Sequence, residues 1–97
     1  MQELLNNDSV LLAKAREAMQ TGDLPRRYPD ELWGGPATGA RCAVCGATTT
    51  PGDIEVEFEF TRDSQRTKYH AHPRCFSIFS YELSRVPAAK TAGDRPE

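Results

Sequence analysis

The chain places its three cysteines and two histidines in two short stretches, RCAVCG and YHAHPRC. Cys42 and Cys45 are separated by two residues, and so are His72 and Cys75. A two-residue gap lets a tight turn aim both side chains at one point, and four N/S ligands in two such pairs close the tetrahedral shell that zinc prefers. The spacing therefore predicts one structural zinc ion held by Cys42, Cys45, His72 and Cys75. A closed shell leaves no position for a reacting water, which argues against a catalytic metal. His70 is the alternate ligand through an H-x4-C spacing; otherwise it pairs with nearby glutamates or supports the site from behind. Pro73 suits the first position of a helix, which puts Cys75 in the first turn, where free N–H groups and the helix dipole favour a thiolate.

Size and charge fit this reading. A domain of 97 residues has a thin core for its surface and needs a staple. Twelve Lys and Arg stand against 14 Asp and Glu, so no bulk basic field attracts nucleic acid. The opening MQELLNNDSV has no basic n-region, and no long apolar run follows anywhere, so neither a signal peptide nor a membrane span is expected. A cytoplasmic location follows, and an odd cysteine count in a reducing compartment favours metal or redox chemistry over disulfides.

The rest of the chain reads as a small α+β domain with an N-terminal helix, a cysteine knuckle, an antiparallel β-hairpin and a C-terminal helix. Residues 7–22, NDSVLLAKAREAMQTG, carry helix formers behind cap-type residues and end on Gly22, with Val10, Leu11, Ala15, Ala18 and Met19 on one side. Pro25, Pro29, Pro36 and four glycines from Gly22 onward predict a loop, with Trp33 anchoring it on the core. IEVEFEF, residues 54–60, alternates strictly and predicts a strand with Ile54, Val56, Phe58 and Phe60 inward and Glu55, Glu57 and Glu59 on a wet face. TRDSQ turns it into RTKYHAH, whose Arg66, Lys68 and His70 face that glutamate row. After Pro73, Phe76, Phe79, Leu83 and Val86 form a helical stripe that Pro87 ends. The expected layout is a helix and Gly/Pro-rich loop over 1–41, a zinc-finger-like core over 42–86 and a disordered tail over 87–97.

The stretch from Cys42 to Phe79 resembles a treble-clef zinc finger, in which a knuckle and hairpin lead to a helix whose first turn supplies the second ligand pair. "YHAHPRCF" and "CAVCG" with "PGDIEVEFEF" are similar to the close and opening of poly(ADP-ribose) polymerase-type zinc fingers. The Glu-rich strand and the shorter gap between ligand pairs depart from that pattern, so recognition of DNA breaks is not implied. The whole chain, with "LPRRYPDELWGGP", also resembles small bacterial zinc-finger-like proteins, which implies the layout and no activity.

These readings point to a noncatalytic zinc-stabilised binding module with a protein partner. A nucleic-acid-binding finger is the alternative and would need Arg26, Arg27, Arg41, Arg62, Arg66, Lys68 and Arg74 as a patch beside Trp33. A thiol redox or zinc-release switch at Cys42 and Cys45 uses the same ligands. An enzyme is not expected: no phosphate-cradling glycine loop, G-x-S-x-G or H-E-x-x-H occurs.

Overall fold

The computed structural model describes residues 2–85, with side chains from Asp8 onward. The expectations for Val86, Pro87 and the 87–97 tail lie outside the described residues. The architecture is α+β: helix α1 (Gln2–Thr21), strands β1 (Glu31–Pro36), β2 (Ile54–Arg62) and β3 (Gln65–Ala71), and helix α2 (Pro73–Arg85). The strands form one antiparallel sheet in the order β1-β2-β3.

α1 begins five residues before the expected start, because Gln2, Glu3, Leu4 and Leu5 are themselves good helix formers and the cap-type residues after them sit inside the helix. It ends on Gly22, whose φ of +88° suits a residue without a Cβ. The Leu24 N–H then reaches back to the Ala18 carbonyl at 3.0 Å, which buries Leu24 against the core. Ala15, Ala18 and Met19 are buried as the stripe requires, whereas Val10 faces solvent. α1 packs on α2, where Arg16 donates to the buried Glu82 carboxylate at 3.0 Å and Arg74 pairs with Asp8.

β2 and β3 are joined by a two-residue turn at Asp63 and Ser64, with φ of 52° and 69°. Two left-handed residues make the mirror-image turn whose twist matches the strands. On the inner face Phe58 meets Tyr69, Phe76 and Phe79 with centroids 5.0–5.9 Å apart, so one aromatic cluster joins the hairpin to α2.

Three expectations are corrected. The Gly/Pro segment contains a strand: between Pro29 and Pro36, ELWGGP pairs with β2 from Glu31↔Glu59 to Pro36↔Ile54. Pairing overrides the poor strand propensity of Gly34 and Gly35, and Pro36 is tolerated at the end of an edge strand. Trp33 does not anchor a loop on the core; it stands on the glutamate side of the sheet, 43% exposed. The glutamate face is not uniformly wet, and the apolar face is not uniformly dry. Glu55 is 2% exposed and Glu59 8%, while Ile54 is 62% exposed. The segment after β1 folds over Glu55, and α2 covers β2 and β3 without reaching the start of β2.

Candidate metal centre

The knuckle is built from backbone bonds. Cys42 N–H donates to the Ala47 carbonyl at 2.8 Å and Gly46 N–H to the Cys42 carbonyl at 3.0 Å, closing a tight turn on Gly46 at φ +84°. Within it the N–H groups of Val44 and Cys45 point at Cys42 Sγ from 3.4 and 3.5 Å. N–H donors aimed at sulfur favour a thiolate. Ala43 N–H then donates to the His70 carbonyl at 2.8 Å, fastening the knuckle to the end of β3 two residues before His72. On the other side, Phe76 N–H donates to the His72 carbonyl at 2.9 Å, starting α2 with Pro73 in its first position.

These constraints bring Cys42 Sγ, Cys45 Sγ, Cys75 Sγ and a His72 ring nitrogen within 4.8 Å of one another. His72 Nδ1 lies 3.5 Å from Cys45 Sγ and 3.7 Å from Cys75 Sγ. A tetrahedral zinc with Zn–S about 2.3 Å and Zn–N about 2.0–2.1 Å requires S···N edges of about 3.6 Å and S···S edges of about 3.8 Å. The cluster is therefore sized for a metal ion, and its donor set fits zinc. Cys42 and Cys75 are buried, and all three cysteines are free of disulfides. His72 Nε2 lies 3.3 Å from the Thr48 carbonyl, so it can donate there and leave the Nδ1 lone pair for the metal.

Cys42 and Cys75 are not equivalent thiols. The Cys75 thiol, donating to Cys42, holds the Cys42 pKa well below the usual thiol range against the opposing effect of burial. Cys75 is pushed up by that same bond and by burial. The helix dipole alone suggests Cys75 as the favoured thiolate; the geometry reverses that order because the Cys75 thiol donates to Cys42, with the knuckle N–H groups adding to the effect.

His70 is placed elsewhere. Its Nδ1–H donates to Glu55 Oε2 at 2.7 Å, and Glu57 Oε2 lies 3.8 Å away. Glu55 is the member of this region that the sequence reading missed. Thr38 N–H donates to its carboxylate at 3.0 Å and the Thr49 hydroxyl at 2.8 Å, and the Thr38 hydroxyl reaches both oxygens. This pins residues 38–49, which carry the knuckle, onto β2. No local pattern announces it, because the donors come from a segment of irregular backbone.

The other candidate residues do not form one surface. Arg26, Arg27 and Arg62 line a recess of about 530 Å³ with Leu24, Phe60 and Tyr69. Within it Arg27 is committed to both carboxylate oxygens of Asp30, at 3.2 and 3.1 Å, and to the Thr61 carbonyl. Arg66 and Lys68 approach Glu59 at 3.8 and 3.9 Å on the sheet face, with Lys68 also 6.0 Å from the Trp33 ring centroid. Arg74 pairs with Asp8 between the helices, and Arg41 lies against the knuckle. Among the described residues, no helix is long and apolar enough to cross a membrane. No family model, no curated protein and no solved structure matches this chain.

Proposed function

We propose that the protein is a noncatalytic binding module whose fold is closed by one structural zinc ion at Cys42, Cys45, His72 and Cys75, and which acts through a protein partner. The observation that carries this is the clustering of four N/S donors, two from the knuckle and two from the start of α2, within 4.8 Å of one another. All four positions are filled by the protein, so the metal's role is to hold the knuckle against α2. Knuckle, hairpin and helix then follow the order of a treble-clef finger. In a reducing cytoplasm the three thiols stay free to bind metal. A protein partner is favoured over nucleic acid because the cations are dispersed and Arg27, Arg66, Lys68 and Arg74 face carboxylates.

The test is metal content by native mass spectrometry on protein purified without added zinc, with Cys42→Ser and Cys75→Ser alongside. The expected result is one zinc per chain, lost in both variants together with cooperative unfolding, since structural zinc contributes about 10–16 kcal/mol in small peptides, comparable to a domain's whole stability. A folded, metal-free wild type refutes the reading.

A further inference from the structure

The open face of the sheet carries a notch of about 330 Å³ beside Trp33. Its shape follows from register. Trp33 lies across from Glu57 and Gly35 across from Glu55, so the three side chains and the absent fourth share one face. A residue with a side chain at position 35 would fill the space. Glycine there leaves a gap walled by the Trp33 ring on one side and by Ala37 and Thr38 on the other, with the two carboxylates at its back. Among the described residues, no Lys, Arg or His lines it.

The electrostatics of this face are unbalanced towards negative charge. Glu55 is already committed to Thr38, Thr49 and His70, but its charge remains. Glu57 is half-buried and has only loose partners, Lys68 at 3.9 Å and His70 at 3.8 Å. In the neighbouring row Glu59 Oε1 is buried and accepts no hydrogen bond from the described residues. A half-exposed indole beside carboxylates that outnumber the cations facing them is the arrangement that attracts an ammonium or guanidinium group. The chain's own Lys68 shows the attraction, approaching the Trp33 ring from the row of Glu59 without entering the notch.

β1 is also the free edge of the sheet, with β2 on one side and no strand on the other among the described residues. α2 packs on β2 and β3, so β1 is uncovered; Leu32 and Trp33 are both about half exposed. An edge with unpaired backbone groups and a side-chain notch next to it offers both elements of strand addition, main-chain pairing and a specificity site.

We propose that β1 receives an extended segment of a partner protein as an added strand, with one lysine or arginine side chain of that segment seated in the notch over Gly35, beside Trp33 and against Glu57. The proposal rests on the binding-module reading and is independent of which metal closes the knuckle.

Trp33 is the sole tryptophan, so its fluorescence reports binding directly. The probe is an end-blocked seven-residue peptide of threonine and valine with one central lysine, and its counterpart with norleucine in place of lysine. Gly35→Leu fills the notch without backbone strain, since Gly35 has no positive φ and a Cβ there meets nothing within 4 Å. Glu57→Gln removes the charge at its back. Circular dichroism and zinc content are read on the same samples, so that loss of fold or metal is recorded separately from loss of peptide binding. The expected result is saturable binding of the lysine peptide, roughly five- to tenfold tighter than the norleucine peptide, and weakened about as much by each substitution in folded protein. No saturable change, equal affinity for the two peptides, or insensitivity to either substitution overturns the proposal.

Discussion

Replacing Glu55 with alanine tests how far the metal centre depends on a carboxylate that does not touch it. Besides the hydroxyl of the exposed Thr38, the change removes the acceptor of three donors, the part-buried Thr38 N–H and His70 Nδ1–H and the buried Thr49 hydroxyl, now at 3.0, 2.7 and 2.8 Å. At about 1–1.5 kcal/mol for each lost bond, and more for those to charge, the sum is roughly 3–5 kcal/mol. Water entering by the notch satisfies part of this, which puts the expected loss near 3 kcal/mol, a large share of the ~5–15 kcal/mol available to a domain. A second effect travels along the backbone. Thr49, held by Glu55, follows Thr48, whose carbonyl faces His72 Nε2. Loosening Thr48 frees the imidazole to rotate, and supports of this kind are worth about 10–100-fold in metal affinity. The assays are urea unfolding of the metal-bound protein and competition with a chromophoric chelator. A variant within ~0.5 kcal/mol of wild type and with unchanged metal affinity refutes the argument.

The same carboxylate sets a pH signature. Burial pushes the Glu55 pKa up, but the bonds from Thr38, Thr49 and His70 outweigh it and hold the value at about 2, against an ordinary 4.5. A lowered folded-state pKa means the ionised form is the one the fold favours. Its contribution is fully present above the ordinary carboxylate range and drains away as pH falls from about 4.5 towards 2. The stability gap between wild type and Glu55→Gln should therefore be constant near neutrality and close below that range. Metal content is followed over the same pH series, so that acid release of the ion is recorded separately for each protein.

Two further outcomes separate neighbouring roles. His72→Ala should lose the metal, whereas His70→Ala should keep one ion per chain while melting earlier, read by native mass spectrometry and thermal denaturation; the reverse order would exchange the two histidines' roles. Ser64→Gly should stabilise the hairpin by about 0.5–1 kcal/mol in urea unfolding, because glycine relieves the left-handed conformation at φ 69°, and a destabilised variant would show that the turn is not limiting.

The α+β layout and the four clustered donors were legible because both rest on local spacing. Two C-x2-C-like pairs, one alternating strand and one stripe behind Pro73 each specify their element without help from the rest of the chain. β1 was not legible, since Gly34, Gly35 and Pro36 argue against a strand and only the long-range partner β2 makes one. The inward burial of Glu55 escaped for a related reason. Alternation assigns a residue to a face, but whether that face is dry depends on what folds over it, and the covering segment has no periodicity to read. Spacing favoured His72 over His70 without fixing the choice; in the fold His72 lies among the three thiols and His70 bonds to Glu55.

The two helices lean on each other through pairs 66 residues apart, Arg16 with Glu82 and Asp8 with Arg74. During synthesis at roughly 5–20 residues per second, Arg16 waits on the order of 3–13 s for its partner. For part of that interval the knuckle has emerged from the ribosome with Cys42 and Cys45, while His72 and Cys75 have yet to emerge. The nascent chain then presents a two-thiol half-site and a helix with no surface to lie on. Both gaps close when α2 appears, so the last described helix to be made completes the metal shell and docks the first.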